Sequence, residues 1–103
     1  MIKVSVMYPN GADTRFDLNY YLGKHMPMVQ AKLGGALKKV EVDHGLGGGT
    51  PGAPPAFVAM CHLHFDSVDA FQQAFGANAE AIVADIPNYT NAQPTVLVSE
   101  VKL

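Results

Sequence analysis

Cysteine is nearly absent from this chain: Cys61 stands alone among 103 residues. No internal disulfide can form, and such sparing use of thiols fits a reducing, cytoplasmic compartment. The residues around Cys61 alternate as in a strand, which favours an inert, buried thiol over a reactive one. Charge is sparse too. Only 16% of residues are charged and the formal net charge is −2. There is therefore no basic footprint for nucleic acid. Long apolar runs are missing as well. Met1 leads directly into IKVSVMY, so neither a signal peptide nor a membrane span is expected. Against these absences, 49% of the residues are hydrophobic. That supplies one core, and the expectation is a single domain over residues 1–103.

Hydrophobic periodicity divides the chain into two similar halves. Residues 2–8, IKVSVMY, read as a strand, and residues 18–33 as a helix with Leu18, Leu22, Val29 and Leu33 on its apolar stripe. Residues 38–46 alternate again, with Val40, Val42 and His44 on one side and Lys39, Glu41 and Asp43 on the other. GGGTPGAPP, residues 47–55, is a loop. It lacks the lysine and the following helix start of a phosphate-binding loop. A second set follows: strand 56–65, a helix from 67 to about 84 with Val68, Phe71, Phe75 and Ile82 inward, and strand 95–103. Phe16-Asp17 and Phe65-Asp66 announce the two helices. Each aspartate can cap free N–H groups, and Phe16 can staple onto Tyr21.

The order β-α-β, loop, β-α-β specifies an α+β, ferredoxin-like βαββαβ domain with a four-stranded antiparallel sheet. Two helices cover one face of such a sheet, and the other must be wet or find a partner. Val58 and Met60 share that face with His62 and His64. The expectation is a homodimer pairing sheet to sheet, which closes a barrel with an interior.

FDLNYYLGKHMPMV, residues 16–29, carries the least ordinary feature: a proline inside a helix. Pro27 has no N–H to give and clashes with the carbonyl four residues back, which is that of Gly23. A kink between 23 and 27 is expected, with glycine absorbing the distortion. His25 sits inside it, on the apolar stripe and one turn after Tyr21. Two readings of His25 stay open on these residues: a core histidine bonded to a nearby carbonyl, or a functional imidazole.

Tyr8-Pro9, Phe16-Asp17, Tyr20-Tyr21, His25 and Pro27 together resemble the signature of the ethyl tert-butyl ether degradation (EthD) family. The resemblance continues through Phe65-Asp66-Ser67, ADIPNYT (84–90) and PTVLVSEV (94–101). It implies the dimeric α+β barrel. Related barrels include cofactor-free anthrone monooxygenases, muconolactone-type isomerases, polyketide cyclases, decarboxylases and haem-degrading enzymes. The family is named for its genetic association with a cytochrome P450 system for ether breakdown. What the resemblance supports is a fold and a pocket without an assigned reaction. Its pattern falls on His25 with Tyr20 or Tyr21. Tyr21, one turn before His25 on the same face, is the preferred partner, and Asp17 is read as a helix cap.

His62-x-His64 places two imidazoles on one strand face, a spacing that can chelate metal with His25 or His44 as a third ligand. No carboxylate is fixed beside them, so pocket lining or hydrogen bonding at a dimer face is favoured and no metal is expected. Tyr89 could cover a pocket mouth or a dimer edge; packing is the preferred role. Met7, Met28, His44, Met60, His62 and His64 are the candidate pocket residues. The leading expectation is an enzyme working without cofactor by proton transfer, as an isomerase, cyclase, decarboxylase or oxidoreductase of the monooxygenase type. Its substrate would be an apolar carbonyl or aromatic molecule, with His25 as acid/base and a tyrosine hydroxyl holding charge on oxygen. The alternative is a non-catalytic dimer that binds a hydrophobic intermediate for an oxygenase system. Haem binding through a histidine is a third, unsupported by any other residue.

Overall fold

A computed structural model describes residues 1–103. Four strands, β1 (Ile2–Pro9), β2 (Lys39–His44), β3 (Phe57–Phe65) and β4 (Thr95–Glu100), form one antiparallel sheet in the order β2-β3-β1-β4. This is the expected ferredoxin-like arrangement. Because side chains alternate along a strand, Val4, Val6 and Tyr8 of β1 face the helices together with Ala59, Cys61, Leu63 and Phe65 of β3. Tyr21, Phe65, Tyr89 and Val4 are the largest side chains with almost no exposure. No helix is long and apolar enough to cross a membrane.

The first helical region has three parts: α1 (Leu18–Tyr20), a π-helical turn over Tyr21–His25, and α2 (Met26–Leu33). Asp17 caps it by accepting from the Tyr20 N–H at 3.0 Å, and Phe16 packs edge-on against Tyr21. The expected kink is the π-turn. The Met26 N–H reaches back five residues to the Tyr21 carbonyl, and the extra residue lets Pro27 enter α2 in its first turn, where a missing N–H costs least. Gly23 is not what permits it. Its φ is not positive, and an added Cβ would meet nothing within 4 Å. The inserted residue also moves the buried stripe to Tyr21, His25, Met26, Val29 and Leu33, leaving Leu22 exposed, contrary to expectation. Gly34, with φ 58°, ends α2 by adopting a conformation that β-carbons disfavour.

The second region, expected as one helix from 67 to 84, divides into α3 (Val68–Gly76) and α4 (Ala79–Ala84). Asn78 makes the break. Its N–H bonds the Phe75 carbonyl, and its side-chain amide bonds the carbonyls of Lys32 and Ala74, tying the junction to the end of α2. Ser67, rather than the expected Asp66, caps α3 by accepting from the Ala70 N–H. Asp66 instead lies 3.8 Å from Lys38. A short turn over Ile86–Asn88 follows α4.

Candidate functional site

Two distant segments are stitched together beside the π-turn. The Asp17 N–H donates to the Tyr89 carbonyl at 2.7 Å, the Thr90 hydroxyl to the Arg15 carbonyl at 2.6 Å, and the Asn91 amide to the Asp13 carbonyl. This brings Asp85, Asn88 and Tyr89 against Tyr20, Tyr21 and His25. The i, i+3, i+4 spacing of Asp85, Asn88 and Tyr89 turns all three toward the same neighbourhood.

His25 is only 3% exposed. Its Nδ1 lies 2.8 Å from Asp85 Oδ2. The other carboxylate oxygen, Oδ1, accepts from the Tyr20 hydroxyl at 2.7 Å and from the Asn88 amide at 2.9 Å. Because an ionised carboxylate only accepts, Nδ1 carries the hydrogen and Nε2 carries the lone pair. Nε2 has one polar neighbour, the Tyr89 hydroxyl at 3.4 Å, which is longer than a strong hydrogen bond. Tyr89 in turn makes a 2.6 Å hydrogen bond with the Tyr8 hydroxyl. Tyr21 stacks nearly parallel on the His25 ring, with centroids 5.4 Å apart.

Burial and partners set the protonation states. Burial lowers the His25 pKa from its ordinary value, and the pull of Asp85 in the other direction does not overcome it. For Asp85, burial acts upward, but hydrogen bonds from Asn88, Tyr20 and His25 prevail and hold its carboxyl below the usual range. Burial raises Tyr8, Tyr21 and Tyr89, so each keeps its proton as a donor. Burial likewise pushes the Cys61 thiol up to about 11, which leaves it protonated and unreactive at neutral pH.

Beside this cluster lies a cavity of about 160 Å³ between sheet and helices. Its wall is apolar: Val4, Val6, Met26, Val29, Leu63, Phe71 and Phe75, with Tyr8, Tyr21, Cys61 and His25 at one side. Val83, Pro94 and Val96 also border it. Val96 is 55% exposed, which marks the mouth between α4 and β4.

The expected site residues are thus distributed over several places. His25 and Tyr21 line the cavity, while Tyr20 supports Asp85 from outside it. Met7, Met60, His62 and His64 occupy the helix-free face of the sheet. His44 is exposed at the end of β2, and Met28 packs at the edge of the core. None of these six borders the cavity; Met26, turned inward by the π-turn, does. On the helix-free face, both His62 nitrogens are engaged. Nδ1 lies 2.8 Å from the Ser5 hydroxyl and Nε2 3.2 Å from Asp43 Oδ2, a carboxylate that strand alternation alone did not pair with it. His64 Nδ1 is buried with no partner.

A family model for the EthD domain matches residues 10–93. The chain belongs to the EthD family. It is 48% identical to a crystallised EthD-like protein of Ralstonia eutropha, covering 99% of this chain and 92% of that one with a TM-score of 0.95. An ethyl tert-butyl ether degradation family protein of Bacillus halodurans shares the fold at 20% identity and a TM-score of 0.68, covering 99% of each chain. An uncharacterised 11.0 kDa protein from the thcB–thcC intergenic region of Rhodococcus erythropolis is 29% identical over 97% of this chain and 94% of its own length. In this EthD chain, sequence reasoning missed Asp85, Tyr8 and the polar role of Tyr89. The spacing of carboxylate, amide and phenol in DIPNY was the available signal. Its meaning depends on contacts across some sixty residues, such as that of His25 with Asp85 (|i−j| 60).

Proposed function

We propose that this EthD protein is a small-molecule enzyme of degradative or secondary metabolism that works by proton transfer. Its substrate is an apolar carbonyl or aromatic compound, and the chemistry is of the isomerase, cyclase, decarboxylase or monooxygenase type. One observation carries the reading: a neutral histidine lines an apolar cavity with Nδ1 anchored on Asp85 and Nε2 only loosely engaged. Such an imidazole is oriented as a base near neutral pH. Nε2 would take the proton from an activated C–H or O–H. The buried, protonated Tyr89 hydroxyl beside it, with the Tyr8 hydroxyl bonded behind, would hold the charge that develops on oxygen, while the Tyr21 ring stacks on the imidazole. A base and hydroxyl donors suffice for the proton-transfer step, without a cofactor.

The working unit is proposed to be a homodimer in a reducing, cytoplasmic setting, with a small-molecule ligand and neither nucleic acid nor membrane as partner. The helix-free sheet face carries Met7, Val58, Met60 and Leu97, and Leu97 is 53% exposed. A second reading, a non-catalytic dimer that carries a hydrophobic intermediate for an oxygenase system, is favoured by the cavity's almost wholly apolar wall, which suits holding such a molecule as well as transforming it.

Deuterium uptake from heavy water into small enolisable ketones and phenols separates the two. The enzyme reading expects accelerated exchange, lowered about 10²-fold or more by His25→Gln in a protein that stays folded. Ligand binding with no exchange above background would leave the carrier reading in its place.

A further inference from the structure

From the chemistry of the cavity wall, we infer that its ligand is a small, neutral, hydroxyl-bearing ring whose hydroxyl donates to His25 Nε2. The inference rests on taking this cavity as the functional site and adds a charge, a size and an anchoring atom.

Charge follows from the lining. No lysine, arginine, aspartate or glutamate borders the cavity. The Asp85 carboxylate is outside the lining and already satisfied by His25, Tyr20 and Asn88. A carboxylate or ammonium entering this space would lose its hydration and gain no countercharge, so ionic ligands are rejected. Size follows from the volume. At about 160 Å³, the space matches the roughly 150 Å³ apolar cavity that stays dry and takes up benzene. Phe71 and Phe75 are aromatic members of its wall.

The anchoring atom follows from hydrogen-bond polarity. Asp85 holds the hydrogen on Nδ1, so Nε2 can only accept, and the ligand must bring the hydrogen. Its existing neighbour, the Tyr89 hydroxyl at 3.4 Å, has the Tyr8 hydroxyl at 2.6 Å as a better partner and can yield the position. A phenolic or enolic hydroxyl meets these requirements. Transfer of its proton to Nε2 breaks the O–H bond, forms an N–H bond and leaves an oxyanion beside the imidazolium.

The test is a nuclear magnetic resonance titration of the ¹³C,¹⁵N-labelled protein at pH 7 with phenol, toluene and benzoate. Phenol and toluene are expected to shift the methyl signals of Val29 and Leu63 saturably. Benzoate should bind at least tenfold more weakly than phenol, and phenol alone should move the His25 Nε2 resonance. Benzoate binding as tightly as phenol overturns the charge assignment. Phenol bound without moving Nε2 overturns the anchor, and neither neutral probe reaching the cavity overturns the seat. These readouts need no turnover. Phenol bound on Nε2 with no proton exchange counts against the enzyme reading alone, and a preference for benzoate counts against this inference alone.

Discussion

At the scale of single residues, the protein keeps an imidazole uncharged next to a carboxylate. In water the pair would favour imidazolium. Here burial outweighs the attraction, and His25 stays below its ordinary pKa. The consequence for stability has a definite sign. As pH falls below about 6.5, the unfolded chain takes up a proton at this histidine before the folded one does. Stability is therefore fully present above that pH and is lost from there down to the lowered folded value. Thermal melts across this window should show the loss, and His25→Gln should reduce it. Equal losses in both proteins would mean that the acid sensitivity lies elsewhere, for instance at His64, whose pKa burial also lowers.

At the scale of elements, the π-turn is what gives the site its geometry. The inserted residue turns Tyr21, His25 and Met26 inward together while leaving out Leu22, which a straight helix would place between them. Pro27 placed the irregularity correctly. Gly23 suggested a role for glycine that the backbone does not use. Gly23→Ala should therefore raise stability by up to about 1 kcal/mol, the ordinary helix preference for alanine. A melting temperature lowered by a comparable amount would show that the turn does need glycine.

The same contrast explains what could be read beforehand. Strand alternation, the Asp17 cap and the Phe16–Tyr21 contact are local, and period and spacing expose them. The direction of His25 was legible because a polar ring on an apolar stripe is conspicuous. Asp85 and Tyr8 were not, because nothing local links them to His25. They arrive only when Tyr89 and Thr90 are bonded to the 15–17 segment. The split between α3 and α4 was hidden for a similar reason: Asn78 breaks the helix by bonding a carbonyl of α2.

At the scale of the whole molecule, helices cover one sheet face and leave the other mixed. Met7, Val58, Met60 and Leu97 stand among Lys3, Glu41 and Asp43, with His62 held between Ser5 and Asp43. A second copy placed against this face would bury the apolar members. The interface should exceed about 1,000 Å² in total, as stable contacts do. Light scattering at micromolar concentration should find twice the 11.0 kDa chain mass. A monodisperse species at 11.0 kDa would exclude the dimer.

The central claim is that His25 is a neutral base aimed into the cavity, and its ring nitrogens report on that directly. In a ¹⁵N spectrum of the selectively labelled protein at pH 7, Nδ1 should appear protonated and Nε2 bare. Titration should give a midpoint below about 6.5, and Asp85→Asn should erode the tautomer preference. A charged ring at pH 7, or a hydrogen on Nε2, would contradict the account.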